Sequence, residues 1–423
     1  MHELRILPSL SERDAILEWV AEVVARDGGE VEDITLAEST AWSLREGTLR
    51  HETGRYFRLV GLEWCEGGEI VQRPFIEQRE IGTLGFIARP GASGLDFLVH
   101  AKAEPGNVGG VQLAPSCQAT ASNADRVHGG MAPPYSEEFL SWKGTSLSDS
   151  LQSEQGSRFL GKRNRNVVMI APGLVEDPGP LHRWIPFDTL RGLLALDFVV
   201  NTDARSVLCT SDWPTLAGRP PFPGDDQFSR ELHASFHAPV RPEMLARVQA
   251  TLAMARRSLR PVRAIPLDAL AGFNAEGRPV MTDGDISIRQ IRVRSQTREV
   301  TEWDQPILDL ATPQILDLPC MRQEGLLVIG YRVSWEPGLL AGVELAPGLS
   351  GTVEGEVRLE ARQSDEGGRF YRDVTLYRVL DLGAGAPEEE MLWLTLAEIH
   401  ALMPQGVFNN EARSATSLLL SLA

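Results

Sequence analysis

The chain contains one sequence pattern twice, and this internal duplication limits how it can fold more than any other feature. The tripeptide Glu-Pro-Gly at 104–106 recurs at 336–338, 232 residues later, and Val-x-Leu-Ala-Pro at 111–115 recurs at the same distance. The block Gln-Ser-x-x-Gly-x-Arg-Phe at 152–159 then recurs at 363–370, 211 residues later. Solenoid repeats span only about 20–45 residues, so the pattern predicts two copies of one domain.

Each copy is expected to be an α+β domain in which helices flank a mixed β-sheet. Apolar residues recur at helical spacing after Ser11 in the first copy and after Pro242 in the second. Short apolar runs between turn residues predict strands at 56–62, 95–99, 167–170, 286–293, 326–333 and 374–380, with closing helices at 187–196 and 395–403. The predicted domains are residues 1–222 and 223–423, and the Pro-rich segment 219–226 is the linker.

The charge balance excludes several classes of partner. The 423 residues carry 41 basic and 58 acidic side chains, a net charge of −17. A basic face is required to bind phosphate backbones or anionic membranes, so neither nucleic acid nor a membrane is an expected partner. The sequence also lacks an apolar run long enough to span a membrane and a signal peptide at its start. The four cysteines show no metal-site or disulfide spacing, which favours the reducing cytoplasm.

The two copies differ in their polar residues, and the differences predict which copy works. Lys102 aligns with Ser334, and Lys162 aligns with Asp373. The first copy also holds 21 additional residues between Thr120 and Gln152, a length typical of lids and binding loops. The amides that lack an amide counterpart in the second copy are Asn107, Gln112, Gln118, Asn164 and Asn166. We therefore expect the working site in the first copy, with the second as a scaffold or a vestigial ligand pocket.

The segment Gly-Lys-Arg-Asn-Arg-Asn at 161–166 places three cations in an acidic chain. Such a segment predicts an anion pocket, because guanidinium groups bind phosphates in a bidentate manner, although a solvated strand end has the same composition. In a strand, Lys162, Asn164 and Asn166 would share one face, while Arg163 and Arg165 would share the other.

Other candidate site residues are each open to a structural interpretation. Lys102 follows an apolar run and could act as an acid or base when desolvated, but a lone lysine is more often a surface residue. His51 is a second candidate, or a hydrogen-bonded structural histidine. Glu104 recurs in both copies, which favours a role in a turn. The polar segment 112–123 suits a sugar or a pyrimidine, or is an ordinary loop. Aromatic residues that could stack on a base or belong to the core are Trp64, Tyr135, Trp142 and Trp303.

Two long motifs, at 102–123 and 152–166, resemble the signature of the NDP-hexose 2,3-dehydratase family, and the resemblance extends over essentially the full chain. It implies tandem Nudix-like domains, a homodimer and two nucleotide-sugar pockets per chain, the first of them catalytic. It also implies a substrate, dTDP-4-keto-6-deoxy-D-glucose, that is used in making deoxysugars for glycosylated natural products. The Nudix box of acidic residues is absent from both copies, so metal-assisted cleavage of the diphosphate is not supported.

The implied reaction is a β-elimination that needs neither a redox cofactor nor a metal, and the sequence contains no dinucleotide, ATP or zinc motif. We expect Lys102 to serve as acid, base or enolate stabiliser, with Glu154 or His51 as its partner. The expected substrate contacts are Arg158, Lys162, Arg163 and Arg165 for the diphosphate, Gln112, Gln118, Ser122 and Asn123 for the sugar or thymine, and Asn107, Arg126, Tyr135, Asn164 and Asn166 around them. The labile diketo product implies a downstream 3-ketoreductase as a functional partner. Two alternatives remain at this point, a Nudix-type nucleotide-sugar hydrolase and a non-catalytic nucleotide-sugar binding protein.

Overall fold

The structure is a computed structural model that describes residues 11–27, 29–120, 132–141, 144–171, 173, 178–222, 226–284, 286–349, 354–385 and 390–422. It confirms the predicted mixed α+β architecture. The helices are α1 (Glu12–Asp27), α2 (Ser136–Leu140), α3 (Phe187–Leu193), α4 (Thr202–Cys209), α5 (Trp213–Ala217), α6 (Gln227–Phe236), α7 (Pro242–Ala255), α8 (Leu396–Leu402) and α9 (Asn410–Leu420). Single 3₁₀ turns occur at 36–38, 256–258, 267–269 and 403–405. Within the described ranges, no helix is long and apolar enough to cross a membrane.

The strands alternate with turns along both halves of the chain. They are β1 (Glu30–Ile34), β2 (Trp42–Arg45), β3 (Thr48–His51), β4 (Arg58–Glu66), β5 (Glu69–Glu77), β6 (Gly82–Gly91), β7 (Gly94–Ala103), β8 (Val111–Ala114), β9 (Cys117–Ala119), β10 (Thr145–Ser153), β11 (Phe159–Leu160), β12 (Arg163–Ile170), β13 (His182–Pro186), β14 (Val262–Ile265), β15 (Met281–Asp283), β16 (Ile286–Arg294), β17 (Glu302–Leu310), β18 (Gln314–Gln323), β19 (Leu326–Trp335), β20 (Val343–Ala346), β21 (Gly348–Leu349), β22 (Glu356–Ser364), β23 (Val374–Ala384) and β24 (Met391–Thr395).

Two seven-stranded sheets have the same strand order. The first is β10-β12-β6-β7-β13, with β8 paired to β7 and β9 paired to β6. The second is β22-β23-β18-β19-β24, with β20 paired to β19 and β21 paired to β18. In each sheet one central pair is parallel, β12 with β6 and β23 with β18. The strands β6, β7 and β8 match β18, β19 and β20 residue for residue at the 232-residue spacing of the sequence motifs.

Two smaller sheets connect the halves of the chain. One has the order β1-β16-β15 with β17 paired to β16, and the other has the order β11-β5-β4-β3-β2 with β14 paired to β4. Strand β1 comes from the first half and pairs with β16 of the second, while β14 of the second half pairs with β4 of the first. Strands therefore pair across the predicted boundary between residues 222 and 223.

The helices α4 and α9 form the centre of the molecule. Helix α4 packs on the first large sheet, α9 packs on the second, and the two helices pack on each other. Each begins with an asparagine cap, Asn201 or Asn409, whose side chain accepts the backbone N–H three residues later. Arg413 is buried at this contact, where its guanidinium donates to Ser206 Oγ at 2.7 Å and to Phe408 O at 2.6 Å. These acceptors replace water and allow an arginine to lie in an apolar core.

The two Glu-Pro-Gly turns dock against the opposite half in a reciprocal manner. Gly106 N–H donates to Gly367 O, and Gly338 N–H donates to Gly156 O, each at 2.7 Å. A Cβ atom at Gly106 would lie 1.7 Å from the carbonyl oxygen of Phe370, so only glycine fits. Gly106 therefore holds the loop at 365–370 of the second half against the first half, and Gly338 holds the loop around Gly156 of the first half against the second.

A second reciprocal contact predicts a pH-dependent stability. Gln112 Nε2 donates to Ser364 Oγ at 2.9 Å, and at the equivalent place Ser153 Oγ donates to Glu344 Oε2 at 2.6 Å. Burial raises the pKa of Glu344 to about 7. The folded protein then holds a proton that the unfolded chain releases near its ordinary pKa, so stability falls as the pH rises from 4.5 to about 7.

We expect Glu344→Gln to raise the free energy of unfolding by about 1–3 kcal/mol at a pH of about 8, and to have little effect near pH 5. Gln112 shows that an amide fits the reciprocal position. Urea midpoints at the two pH values measure the effect, and Glu356→Gln, an exposed residue in β22, is the control. A gain of the same size at both pH values would contradict the titration of a buried Glu344.

Candidate functional site

A cavity of about 460 Å³ lies where the first large sheet meets loops of the second half. This volume is in the range of small-molecule sites, about 300–1,000 Å³. The first half lines it with residues that include Trp42, His51, Tyr56, Lys102, Glu104, Gln118, Lys162, Asn164 and Asp203, and the second half with residues that include Arg298, Glu299, Trp303, Glu366 and Arg369. The cavity therefore belongs to both halves of the chain.

Lys102 and Glu104 form an ion pair inside the cavity. They lie two residues apart at the end of β7, and strand alternation directs both side chains to one face. The Lys102 Nζ atom is 2.8 Å from Glu104 Oε1, and both residues are less than 9% exposed. Burial raises the pKa of Glu104, but the charges of Lys102 and Arg298 outweigh it and hold the pKa below its usual value. Lys102 lies in the cavity as predicted, whereas Glu104 is more than the turn residue that its recurrence suggested.

The strand β12 shows the predicted alternation. Lys162, Asn164 and Asn166 are buried, while Arg163 is exposed and Arg165 pairs with an acidic side chain outside the cavity. The Lys162 Nζ atom donates to a backbone oxygen, Glu80 O, at 2.6 Å. Burial lowers the pKa of Lys162. Of these residues only Lys162 and Asn164 line the cavity, because Asn166 is turned to Ser206 Oγ at 2.8 Å.

Glu154 lies in the wall behind the cavity instead of facing it. Its carboxylate accepts Asn164 Nδ2 at 2.5 Å and Asn410 Nδ2 at 3.2 Å. Burial raises the pKa of Glu154 to about 7. Glu154 is not among the residues that line the cavity, so in this geometry it orients Asn164 and is a positioning residue.

His51 lies in the cavity wall at the end of β3. Its Nδ1 atom is 2.8 Å from Thr53 Oγ1, and the edge of its ring packs against Trp42 and Tyr56. Burial lowers the pKa of His51 and favours the neutral imidazole, the form that can accept a proton.

The four cations expected to bind a diphosphate do not come together. Arg158 is buried, donates to Asp373 Oδ2 at 2.7 Å and to Asp365, and stacks 3.9 Å from the ring centre of Phe370. Arg163 is exposed, and Arg165 pairs with Asp149. Only Lys162 of that set lines the cavity, which corrects the expectation of one common site. The described cations that line the cavity are Lys102, Lys162, Arg298 and Arg369.

Among the predicted amides, the structure brings Gln118 and Asn164 into the cavity and turns Asn107, Gln112 and Asn166 elsewhere. Gln118 Nε2 donates to Asp203 Oδ2. Asn107 supports its own turn through Lys102 O at 3.4 Å, and Gln112 lies in the contact between the halves. Both are buried away from the cavity, so the geometry does not support direct substrate contacts for them.

The predicted residues of the insertion lie beside the cavity or outside the described part of the chain. Tyr135 precedes α2 and packs edge-on against His182 instead of lining the cavity. Ser122, Asn123 and Arg126 lie outside the described residues.

Sequence reasoning missed Asp203 and, apart from Trp303, the cavity residues that the second half contributes. Arg298 and Glu299 lie in the connection 295–301 between β16 and β17, whereas the equally long strands β4 and β5 are joined by only two residues, 67–68. This difference in hairpin length was a usable signal. Arg298 Nη1 donates to Ala103 O at 2.7 Å, which fixes the longer hairpin over the end of β7.

Buried acids and cations brought together in a cavity of this size are typical of an enzyme site for acid–base chemistry on a small molecule. A family model described as NDP-hexose 2,3-dehydratase matches residues 13–210, 247–355 and 349–419, and the chain belongs to this family. Its members are enzymes that remove water.

Three relatives are each named dTDP-4-dehydro-6-deoxy-alpha-D-glucopyranose 2,3-dehydratase. The protein from Saccharopolyspora spinosa is 29% identical over 96% of this chain and 90% of its own length. The protein from Streptomyces violaceoruber is 32% identical over 90% of each chain. The protein from Amycolatopsis orientalis is 28% identical over 96% of this chain and 89% of its own length.

Proposed function

We propose that the chain removes water across C2 and C3 of dTDP-4-keto-6-deoxy-D-glucose to give a 3,4-diketo-2,6-dideoxy sugar. The observation that carries the proposal is the buried Lys102–Glu104 pair in a cavity that also holds Lys162 and Asp203, within a chain of the dehydratase family. The substrate is the one in the names of the three relatives.

The chemistry matches the groups in the cavity. The C4 ketone acidifies the C3 proton, a base removes that proton, and the electron pair forms an enolate at C4. The enolate then expels the C2 hydroxyl as water, and the resulting enol becomes the diketone. Lys102 stabilises the enolate or exchanges a proton with it, and neutral His51 is its candidate partner. Glu154 contributes through Asn164.

The cations Arg298, Arg369 and Lys162 are the groups in the cavity that can neutralise the diphosphate. The aromatic side chains Trp42, Tyr56 and Trp303 in the same cavity offer faces for the thymine ring. The insertion residues Ser122, Asn123 and Arg126 remain proposed contacts for the sugar or base.

The matching strand orders of the two large sheets support a duplicated domain, which we take to be Nudix-like, with residues 1–222 catalytic and 223–423 as scaffold or vestigial pocket. A homodimer, a cytoplasmic location and a downstream 3-ketoreductase remain predictions.

The test of function is to incubate the protein with dTDP-4-keto-6-deoxy-D-glucose in deuterated buffer, without nicotinamide cofactor or added metal. NMR and mass spectrometry follow the sugar. We expect loss of water with changes at C2 and C3, and breakdown products from the labile diketone. Unchanged substrate would contradict the proposal. Release of dTMP only when Mg²⁺ is added would point to a hydrolase, and binding without turnover would point to a binding protein.

A further inference from the structure

Glu366 is a carboxylate that the second half of the chain places in the cavity of the first. It follows β22 in the loop that docks on the Glu-Pro-Gly turn of residues 104–106. Its backbone oxygen accepts the N–H groups of Arg369 and Phe370, each at 2.9 Å, which fixes the loop. The side chain lines the cavity and makes no hydrogen bond or ion pair with the residues that the structure describes. The backbone of Glu366 is therefore fixed by the loop, while its carboxylate is available to a ligand.

The duplication provides an internal comparison for this residue. In the second copy of the site, Gln155 stands where Glu366 stands in the first. Lys102 and Lys162 likewise have no basic counterpart, since Ser334 and Asp373 occupy those positions. Lys102, Lys162 and Glu366 are thus three cavity groups whose aligned residues in the other half differ in charge.

Three other charged groups of the cavity have a charged residue of the same sign at the aligned position and do not distinguish the copies. Glu104, Asp203 and Arg369 correspond to Glu336, Glu411 and Arg158. In the second copy Arg158 pairs with Asp365 and Asp373, and Asn409 donates to Glu336 at 2.7 Å. This contrast assigns the chemistry to the groups that only the first cavity holds.

The surroundings of Glu366 favour its protonated form. It is faced by the cations Arg369, Lys162 and Lys102 and by the acids Glu104, Glu154 and Asp203. Burial, assisted by Glu104, raises the pKa of Glu366 despite the three cations. A raised pKa extends the pH range over which the carboxyl group holds a proton, and a protonated carboxyl can donate to a leaving group.

We propose that Glu366 is the acid that protonates the departing C2 hydroxyl, an inference that rests on the proposed dehydration. As the enolate re-forms the C4 ketone, its electron pair makes the C2=C3 double bond, the C2–O bond breaks, and the oxygen leaves as water with the proton of Glu366. When the enol becomes the diketone, C2 takes a proton from the protonated base, and the C3 hydroxyl returns one to Glu366. Substrate minus water equals product, and both protein groups are restored.

The experiment separates proton abstraction from departure of the hydroxyl. The Glu366→Gln variant, which copies Gln155, is incubated with dTDP-4-keto-6-deoxy-D-glucose in deuterated buffer. Deuterium at C3 of recovered substrate reports abstraction, and loss of the C2 hydroxyl reports elimination. We expect elimination to fall by about 100-fold or more while C3 exchange continues. Glu366→Asp, which keeps an acid, should recover part of the elimination, and Glu360→Gln, an exposed change in β22, should match the wild type.

The outcomes are distinguishable from one another. Elimination within a few-fold of wild type in Glu366→Gln overturns the assignment. Parallel loss of exchange and elimination, with dTDP binding retained by calorimetry, also overturns it, because Glu366 would then act before the hydroxyl leaves. If Glu366→Gln does not fold, the Glu366→Asp variant takes its place. In that variant, a rate of elimination that falls no further than the rate of C3 exchange overturns the assignment. Failure of the wild-type protein to dehydrate the sugar would instead remove the proposed function itself.

Discussion

The Lys102→Ala variant should turn over the keto sugar at least about 100-fold more slowly than the wild type, because acid–base groups and enolate donors each contribute on that scale. Lys102 lies near the end of β7, is buried in the cavity and forms an ion pair with Glu104. Binding of the nucleotide sugar should persist, since Arg298 and Arg369 remain to hold the diphosphate. Steady-state turnover and calorimetric binding of dTDP measure the two effects separately.

The duplicated chain supplies a matched control for this prediction. Ser334 occupies the equivalent position in the second half and is similarly buried. Ser334→Ala should leave turnover within a few-fold of the wild type. Wild-type turnover in Lys102→Ala would remove Lys102 from the chemistry, and loss of binding together with turnover would make it a binding residue.

The Arg158→Met variant should lose about 3–5 kcal/mol of unfolding free energy, the cost of breaking a buried ion pair from one side. Arg158 neutralises Asp365 and Asp373, and all three residues are less than 9% exposed. Methionine keeps the apolar contact with Phe370 but leaves two carboxylates buried without a cation. The shift of the denaturation midpoint in guanidinium chloride reports the loss.

Arg165→Met is the matched control, because its ion pair with Asp149 is half-exposed and such pairs contribute about 0–1 kcal/mol. If Arg158→Met unfolds at the wild-type midpoint yet no longer binds dTDP, Arg158 would be a diphosphate contact, as the sequence predicted. Loss of stability with dTDP binding intact in the folded fraction would establish the structural role.

Local pattern was sufficient to predict much of the fold. The apolar spacing after Ser11 specified α1, and Ser11 Oγ accepts the Asp14 N–H at 3.2 Å as a helix cap does. The alternation of residues 162–166 specified which side chains of β12 face inward, because strand geometry depends only on neighbours in sequence. Lys102 could be singled out since it ends an apolar strand and has no basic counterpart.

The parts that could not be predicted depend on contacts between distant segments. Glu366 and Arg369 lie more than 200 residues from Lys102 in sequence, and contacts between the halves, such as Gly106 N–H to Gly367 O, bring them into one cavity. Glu154 was expected to be a catalytic partner because its sequence neighbourhood resembles a site. In the structure its carboxylate instead accepts hydrogen bonds from Asn164 and Asn410.

The reciprocal glycine turns have a consequence for how such a chain can diverge. Because the loop of the second half lines the cavity beside Lys102, a substitution at 366 alters a cavity to which the first half contributes most residues. The second half therefore contributes side chains to the cavity of the first. Substitutions that change this cavity therefore constrain the sequences of both halves together.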